Sequence, residues 1–232
     1  MMRLKRFVQS VLYAGSKYSC PVCEDSFRKF LTYGKPAREN AMCPGCGVLE
    51  RHRLLWLFLR DETGLFREKL RVLHFAPEVA FLERLSKLAN LFYVPADLAP
   101  SADIVKKIDI TKIPSADNFY DCIICCHVLE HVPNDQRALK EIFRVLRPDG
   151  FAILQVPIKG EKTFGDPDVF APEDRQRVFG NYDHVRSYGQ DYKKRLEQSG
   201  FKVEIISYAD RFDEKMIKRY VLPRDDIYFC SK

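Results

Sequence analysis

The sequence predicts an α/β fold: a mostly parallel sheet with helices on both faces, joined to a small cysteine-rich module at the N-terminal end. Three observations carry this prediction. YDCIICCHV (residues 120–128) is an apolar run without alternation, an amphipathic helix pattern follows it, and a second apolar run, FAILQVPI (151–158), comes next. A strand covered on both faces reads as such a run, and a helix between two of them makes a β-α-β unit.

At the N-terminus, MMRLKRFVQSVLYAG has basic residues and a short apolar patch broken by Gln9 and Ser10. It reads as a peripheral helix that packs on its own protein, with contact to a membrane surface as the alternative, and not as a signal peptide. Cys20-x2-Cys23 and Cys43-x2-Cys46 follow, separated by nineteen residues, in CPVC and CPGCG contexts. Two such knuckles place four thiolates around a tetrahedral structural Zn²⁺ with no open position. The alternatives are two disulfides, or iron in place of zinc. Between the knuckles Phe27, Phe30 and Tyr33 alternate with Arg28, Lys29, Lys35 and Arg38. Such a stretch either stacks on nucleobases or is a ribbon hairpin that buries its aromatics and solvates its charges. LERHRLLWLFLRDETG then makes a helix with Leu54, Leu55, Phe58 and Leu59 inward. Residues 1–62 form this N-terminal part and 63–232 the main domain.

The main domain opens with the strand RVLHFAP, the helix EVAFLERLSKLA and the strand LFYVPADLA, and a third strand, IVKKIDI, ends near Asp109. Asp97 stands near the end of the second strand, about twenty residues after the first loop, where an acidic side chain accepts hydrogen bonds from ribose hydroxyls. After the 120–128 strand, Asn134 or Asp135 caps a helix whose apolar face is Ala138, Leu139, Ile142, Phe143, Val145 and Leu146. Asp149-Gly150 turns the chain into the next strand. Cys122 and Cys125 point to opposite faces of their strand, so with Cys126 and Cys230 they count as core. The order of elements predicts seven strands, the last, DIYFCSK, antiparallel.

Two motifs, LEHV after the fourth strand and RVLRPDG before the fifth, resemble those of class I S-adenosylmethionine-dependent methyltransferases of the small-molecule type, and the likeness extends over roughly residues 70 to 232. The resemblance implies a Rossmann-like domain that binds S-adenosylmethionine. Phe75 and Ala76 would offer main-chain groups, with Pro77 between them and Glu78, whose carboxylate would meet the methionine ammonium. Asp97 and Leu98 would lie at the ribose, Asp109 and Ile110 beside the adenine, and His127 and Val128 along the pocket. The first loop departs from the family, which carries glycine there: this chain has none between Gly64 and Gly150. His127-x-x-Glu130-His131 either holds a divalent ion, as a similar ExxEH does in metal-dependent O-methyltransferases, or lines the pocket and braces its turn.

Residues 159–189 are too long for a mere connector and fall where relatives carry substrate-binding insertions. There His184 could take a proton from a substrate hydroxyl, as could His131, while Arg186 and Tyr188 could hold the acceptor; a plain surface loop is the alternative.

At 232 residues and 46% hydrophobic the chain is globular, and a net charge of +6 indicates at most a preference for acidic partners. No apolar run of about 18 residues exists to span a membrane, and the expected location is the cytoplasm. The expected activity is methylation of a hydroxyl on a small molecule or glycan. Two alternatives stand beside it. One is an RNA methyltransferase using the zinc ribbon, although the Asn/Asp-Pro-Pro-aromatic motif for base amino groups is lacking. The other is a non-catalytic binding protein on the same scaffold.

Overall fold

The computed structural model describes residues 2–232, with side chains from Arg6 onward. In chain order the elements begin α1 (Met2–Leu12), β1 (Ala14–Ser19), β2 (Ser26–Phe27), β3 (Leu31–Tyr33), β4 (Arg38–Met42) and α2 (Glu50–Glu62). They continue β5 (Leu70–Phe75), α3 (Val79–Leu85), β6 (Leu91–Asp97), β7 (Lys106–Lys107), β8 (Tyr120–Cys126), α4 (Asp135–Val145) and β9 (Leu146–Gln155). The last are α5 (Pro172–Phe179), α6 (Tyr192–Glu197), β10 (Lys202–Ile206), α7 (Glu214–Tyr220) and β11 (Ile227–Ser231). They form two compact units. One comprises Met1–Glu68, Glu78–Asn90 and Ser207–Ile227, the other Lys69–Pro77, Leu91–Ile206 and Tyr228–Lys232. The first unit thus runs on to Glu68 and takes in two later segments of the chain.

In the first unit β1 pairs with β2 and β3 with β4, both antiparallel. Phe27 and Phe30 are buried and only Tyr33 of the three ribbon aromatics is exposed. Helix α2 is covered on every side from His52 to Leu59, not on one stripe alone. Trp56 meets Phe66 and Phe81 edge-on, each at 5.0 Å. Arg53, inside this helix, is fully buried and donates to the main-chain oxygens of Ala41, Val48, Tyr220 and Val221 while lying over the Phe30 ring. In helix α1, Phe7, Val8, Val11 and Leu12 are exposed, so these four residues do not provide the packing expected of it.

The second unit is a seven-stranded sheet in the order β10-β11-β9-β8-β5-β6-β7. Strands β5 to β9 pair in parallel and β11 runs antiparallel to β9. The central strands are buried on both faces: Leu73, Ile123 and Leu154 from one, Val72, Cys122 and Ile153 from the other. That explains the absence of alternation. The Asn134 side chain caps α4 by accepting from Arg137 N at 3.0 Å, and Ala138, Leu139, Ile142 and Val145 enter the core, with Phe143 packed at its margin.

Two expectations need correction. The third strand shrinks to Lys106–Lys107, paired with Ala96 and Asp97, because an edge strand bearing exposed lysines has one neighbour and little to bury. Asp149-Gly150 is not a turn between elements but lies inside β9, where the register slips between Leu146 and Phe151. A Cβ at Gly150 would stand 2.9 Å from the Asp121 carbonyl oxygen, so the bulge needs glycine.

Candidate active site

The strand order reverses between β5 and β8, and a cavity of about 640 Å³ opens at their carboxyl ends. Ligands of open α/β sheets sit at such a switch point, and the volume is that of a small-molecule site. Phe75 and Ala76 reach it from β5, Asp97 and Leu98 from β6, Ile108 to Thr111 from the segment after β7, and His127 and Val128 from β8. His131 to Asn134 and Asp183 complete the wall.

Ala76 and His127 face this cavity with left-handed backbones, φ 46° and 55°. A non-glycine residue is uncommon there, so Ala76 takes the conformation a glycine would otherwise supply. Its N–H donates to Ala96 O at 2.7 Å and that of His127 to Gln155 O at 2.8 Å, which hold the two turns in place. Asp97 Oδ1 accepts from Ala99 N at 2.8 Å. Asp109 Oδ1 accepts from the Thr111 amide and hydroxyl, and these bonds hold its carboxyl below the usual range.

Of the residues expected at a cofactor, Phe75, Ala76, Asp97, Leu98, Asp109, Ile110, His127 and Val128 line this one cavity, whereas Pro77 and Glu78 do not. Glu78 belongs to the other unit, where its carboxylate lies 3.0 Å from His52 Nε2. His131 lines the cavity; His184 is buried behind it, its ring edge-on to that of His131 at 4.8 Å. Burial, only partly offset by Glu130, pushes the His184 pKa below its ordinary value. Glu130 is buried, with Oε1 3.3 Å from His127 Nδ1.

Arg186 and Tyr188 do not face the cavity. Arg186 donates to the main-chain oxygens of Leu129, Val132 and Pro133, and Tyr188 to Asp135 and Leu129. Both are buried, so they brace the loop after β8 from behind. Val185 N donates to Glu130 O at 2.9 Å and completes the strap. The groups expected for a divalent ion also regroup: Glu130, His131 and His184 bring ligand atoms together, while His127 meets Glu130 alone. Sequence reasoning missed Ile108, Thr111, Val132, Pro133, Asn134 and Asp183 in the wall; Asp183 directly precedes His184 in DHVRSYG, and that adjacency was the available signal.

In the first unit, Cys20 and Cys46 place their sulfurs 3.6 Å apart, as do Cys23 and Cys43. A disulfide would need about 2.05 Å, while four sulfurs about 2.3 Å from one ion lie roughly 3.8 Å apart. All four are free thiols clustered within reach of one metal. Mutual hydrogen bonding pushes Cys20 and Cys46 up and Cys23 and Cys43 down, since four sulfurs this close cannot all ionise without a cation among them. The donor set fits Zn²⁺, held by Cys20, Cys23, Cys43 and Cys46. With every position filled, such an ion cross-links the two knuckles.

A family model described as a methyltransferase domain matches residues 63–154. No curated protein sequence matches the chain. Among solved structures, the [4+2]-cyclase SpnF is similar over 78% of this chain and 81% of its own, at 16% identity and a TM-score of 0.50. A SAM-dependent methyltransferase from Archaeoglobus fulgidus is similar over 77% and 93%, at 17% identity and 0.49. The 1,6-didemethyltoxoflavin-N1-methyltransferase of Burkholderia thailandensis, solved with 1,6-didemethyltoxoflavin and S-adenosylhomocysteine, is similar over 77% and 76%, at 13% identity and 0.49. The sheet, its flanking helices and the matching segment define the class: a Rossmann-like methyltransferase fold, carried together with a unit that holds a four-cysteine cluster. No helix of the described residues is long and apolar enough to cross a membrane.

Proposed function

We propose that the protein is an S-adenosylmethionine-dependent methyltransferase acting on a hydroxyl of a small molecule or glycan. The observation that carries this reading is the convergence of Ala76, Asp97, Asp109 and His127, from four separate segments, on one cavity at the switch point. S-adenosylmethionine, when bound, supplies a methyl group already activated on a positive sulfur. Asp97 would accept the ribose hydroxyls, Asp109 and Ile110 would flank the adenine, and Phe75, Ala76 and Val128 would line the remainder. The acceptor end is the wall of His131 and Asp183, with His184 behind it. There the acceptor hydroxyl loses its proton to the protein, and its oxygen keeps the electron pair.

The zinc would be structural. Burial of Phe27 and Phe30 removes them as stacking platforms for RNA, which disfavours the RNA reading. The non-catalytic reading rests on the first loop, which carries no glycine and in which Pro77 has no N–H to donate.

Calorimetric titration of the zinc-loaded protein with S-adenosylmethionine and S-adenosylhomocysteine tests the proposal. The expected result is micromolar binding, weakened at least about tenfold by Asp97→Ala through loss of the ribose hydrogen bonds. Methyl transfer to glycans and phenols would follow. No binding to folded protein would overturn the reading in favour of a non-catalytic module.

A further inference from the structure

We infer that Glu130, His131 and His184 hold a divalent first-row transition-metal ion at the acceptor end of the cavity. Each offers one ligand atom, and these lie within 4.8 Å of one another. Ligand atoms bound about 2.1 Å from a shared ion sit roughly 3 to 3.5 Å apart, so modest side-chain rotations close the site.

The second observation is electrostatic. Glu130 is 1% exposed, yet its Oε2 is buried without a hydrogen-bond partner. Such an oxygen is costly unless a cation or donor reaches it. His127 Nδ1 stands 3.3 Å from the other oxygen, Oε1, and the ligand atoms of His131 and His184 lie within 4.8 Å of the carboxylate; an ion among Glu130, His131 and His184 gives Oε2 a partner.

Local structure holds the three ligands. His131 Nδ1 faces Asp183, 3.3 Å from its carbonyl oxygen and 3.5 Å from Oδ2. A proton on Nδ1 leaves Nε2 as the ligand atom, the arrangement by which carboxylates orient metal-bound histidines. The strap from Val185 N to Glu130 O fixes the segment bearing His184 against the turn bearing the other two. His131 and Asp183 line the cavity, so an ion here has three protein ligands and positions open to an acceptor. Two imidazoles and a carboxylate suit Mn²⁺, Fe²⁺, Co²⁺, Ni²⁺ or Zn²⁺. A hydroxyl bound to the ion is acidified: its O–H bond breaks, the proton passes to Asp183, and the oxygen keeps the pair. The imidazoles then act as ligands and not as free bases. Only the purpose of the ion, and not its binding, rests on the methyl-transfer reading.

The test is titration with Co²⁺ of protein carrying one equivalent of Zn²⁺ per chain, enough for the four-cysteine site alone, followed by calorimetry and visible absorption. The expected result is a site in addition to zinc, with d–d bands and no thiolate charge-transfer band. Glu130→Gln and His184→Gln, both checked for folding by thermal melting, should each weaken it by at least about 100-fold. No Co²⁺ binding, bands from thiolate ligation alone, or unchanged affinity in both variants would overturn the inference. S-adenosylmethionine affinity, measured on the same preparation, separates the two readings. Co²⁺ binding without cofactor binding sinks methyl transfer and leaves the metal site; cofactor binding without Co²⁺ does the reverse.

Discussion

The Tyr188 hydroxyl donates to Asp135 Oδ2 at 2.7 Å, beneath the loop that carries Glu130 and His131. Arg195 donates to the same carboxylate from Nε to Oδ2 at 2.7 Å and from Nη2 to Oδ1 at 2.6 Å, and Arg186 lies 3.6 Å away. The carboxylate that starts α4 thereby ties the segment after β9 to the loop after β8.

Burial alone would raise the Asp135 pKa, but the bonds from Arg195 and Tyr188 and the charge of Arg186 outweigh it and hold the carboxyl below its usual range. A group depressed in the folded state adds stability above its unfolded pKa, about 3.9 for Asp, and loses it as pH falls through the folded value. Asp135→Asn should cost about 2–4 kcal/mol at pH 7 in urea unfolding, and the gap from wild type should narrow below about pH 4. A gap that stays constant with pH would refute the ionic account.

Ala76 sits at φ 46°. Relief of its strain, about 1 kcal/mol, should offset the 0.5–1 kcal/mol or so that glycine loses to chain entropy. Ala76→Gly should therefore leave the melting temperature within a few degrees of wild type and preserve cofactor affinity. Ala76→Val, β-branched in a left-handed position, should lower both.

Zinc content should fall by one per chain in Cys43→Ser, with earlier proteolysis between residues 14 and 50, because the ion joins the knuckle after β1 to the knuckle after β4. Full protection of this segment after chelation would show that the hairpins stand without metal.

His184→Ala should slow methyl transfer by at least about 100-fold while cofactor affinity changes less than threefold or so, since His184 lies on the acceptor side. Equal loss of both would mean that the residue shapes the whole cavity.

Local pattern alone determined the paired knuckles, the β-α-β unit with its Asn134 cap, and the carboxylates and turn residues that end the parallel strands. Each depends on spacing within about a dozen residues and on the rule that ligands sit beyond strand ends. Tertiary structure decided what pairing over long separations controls. Nothing in the helix pattern marks Arg53 for burial, and only the fold supplies its acceptors at Tyr220 and Val221. Arg186 and Tyr188 read as acceptor-binding groups, yet they are buried because the loop after β8 lies on top of them. Glu130 and His184 are fifty-four positions apart in the chain, and no periodicity joins them. Only the folded strap brings an orphaned carboxylate oxygen beside two imidazoles.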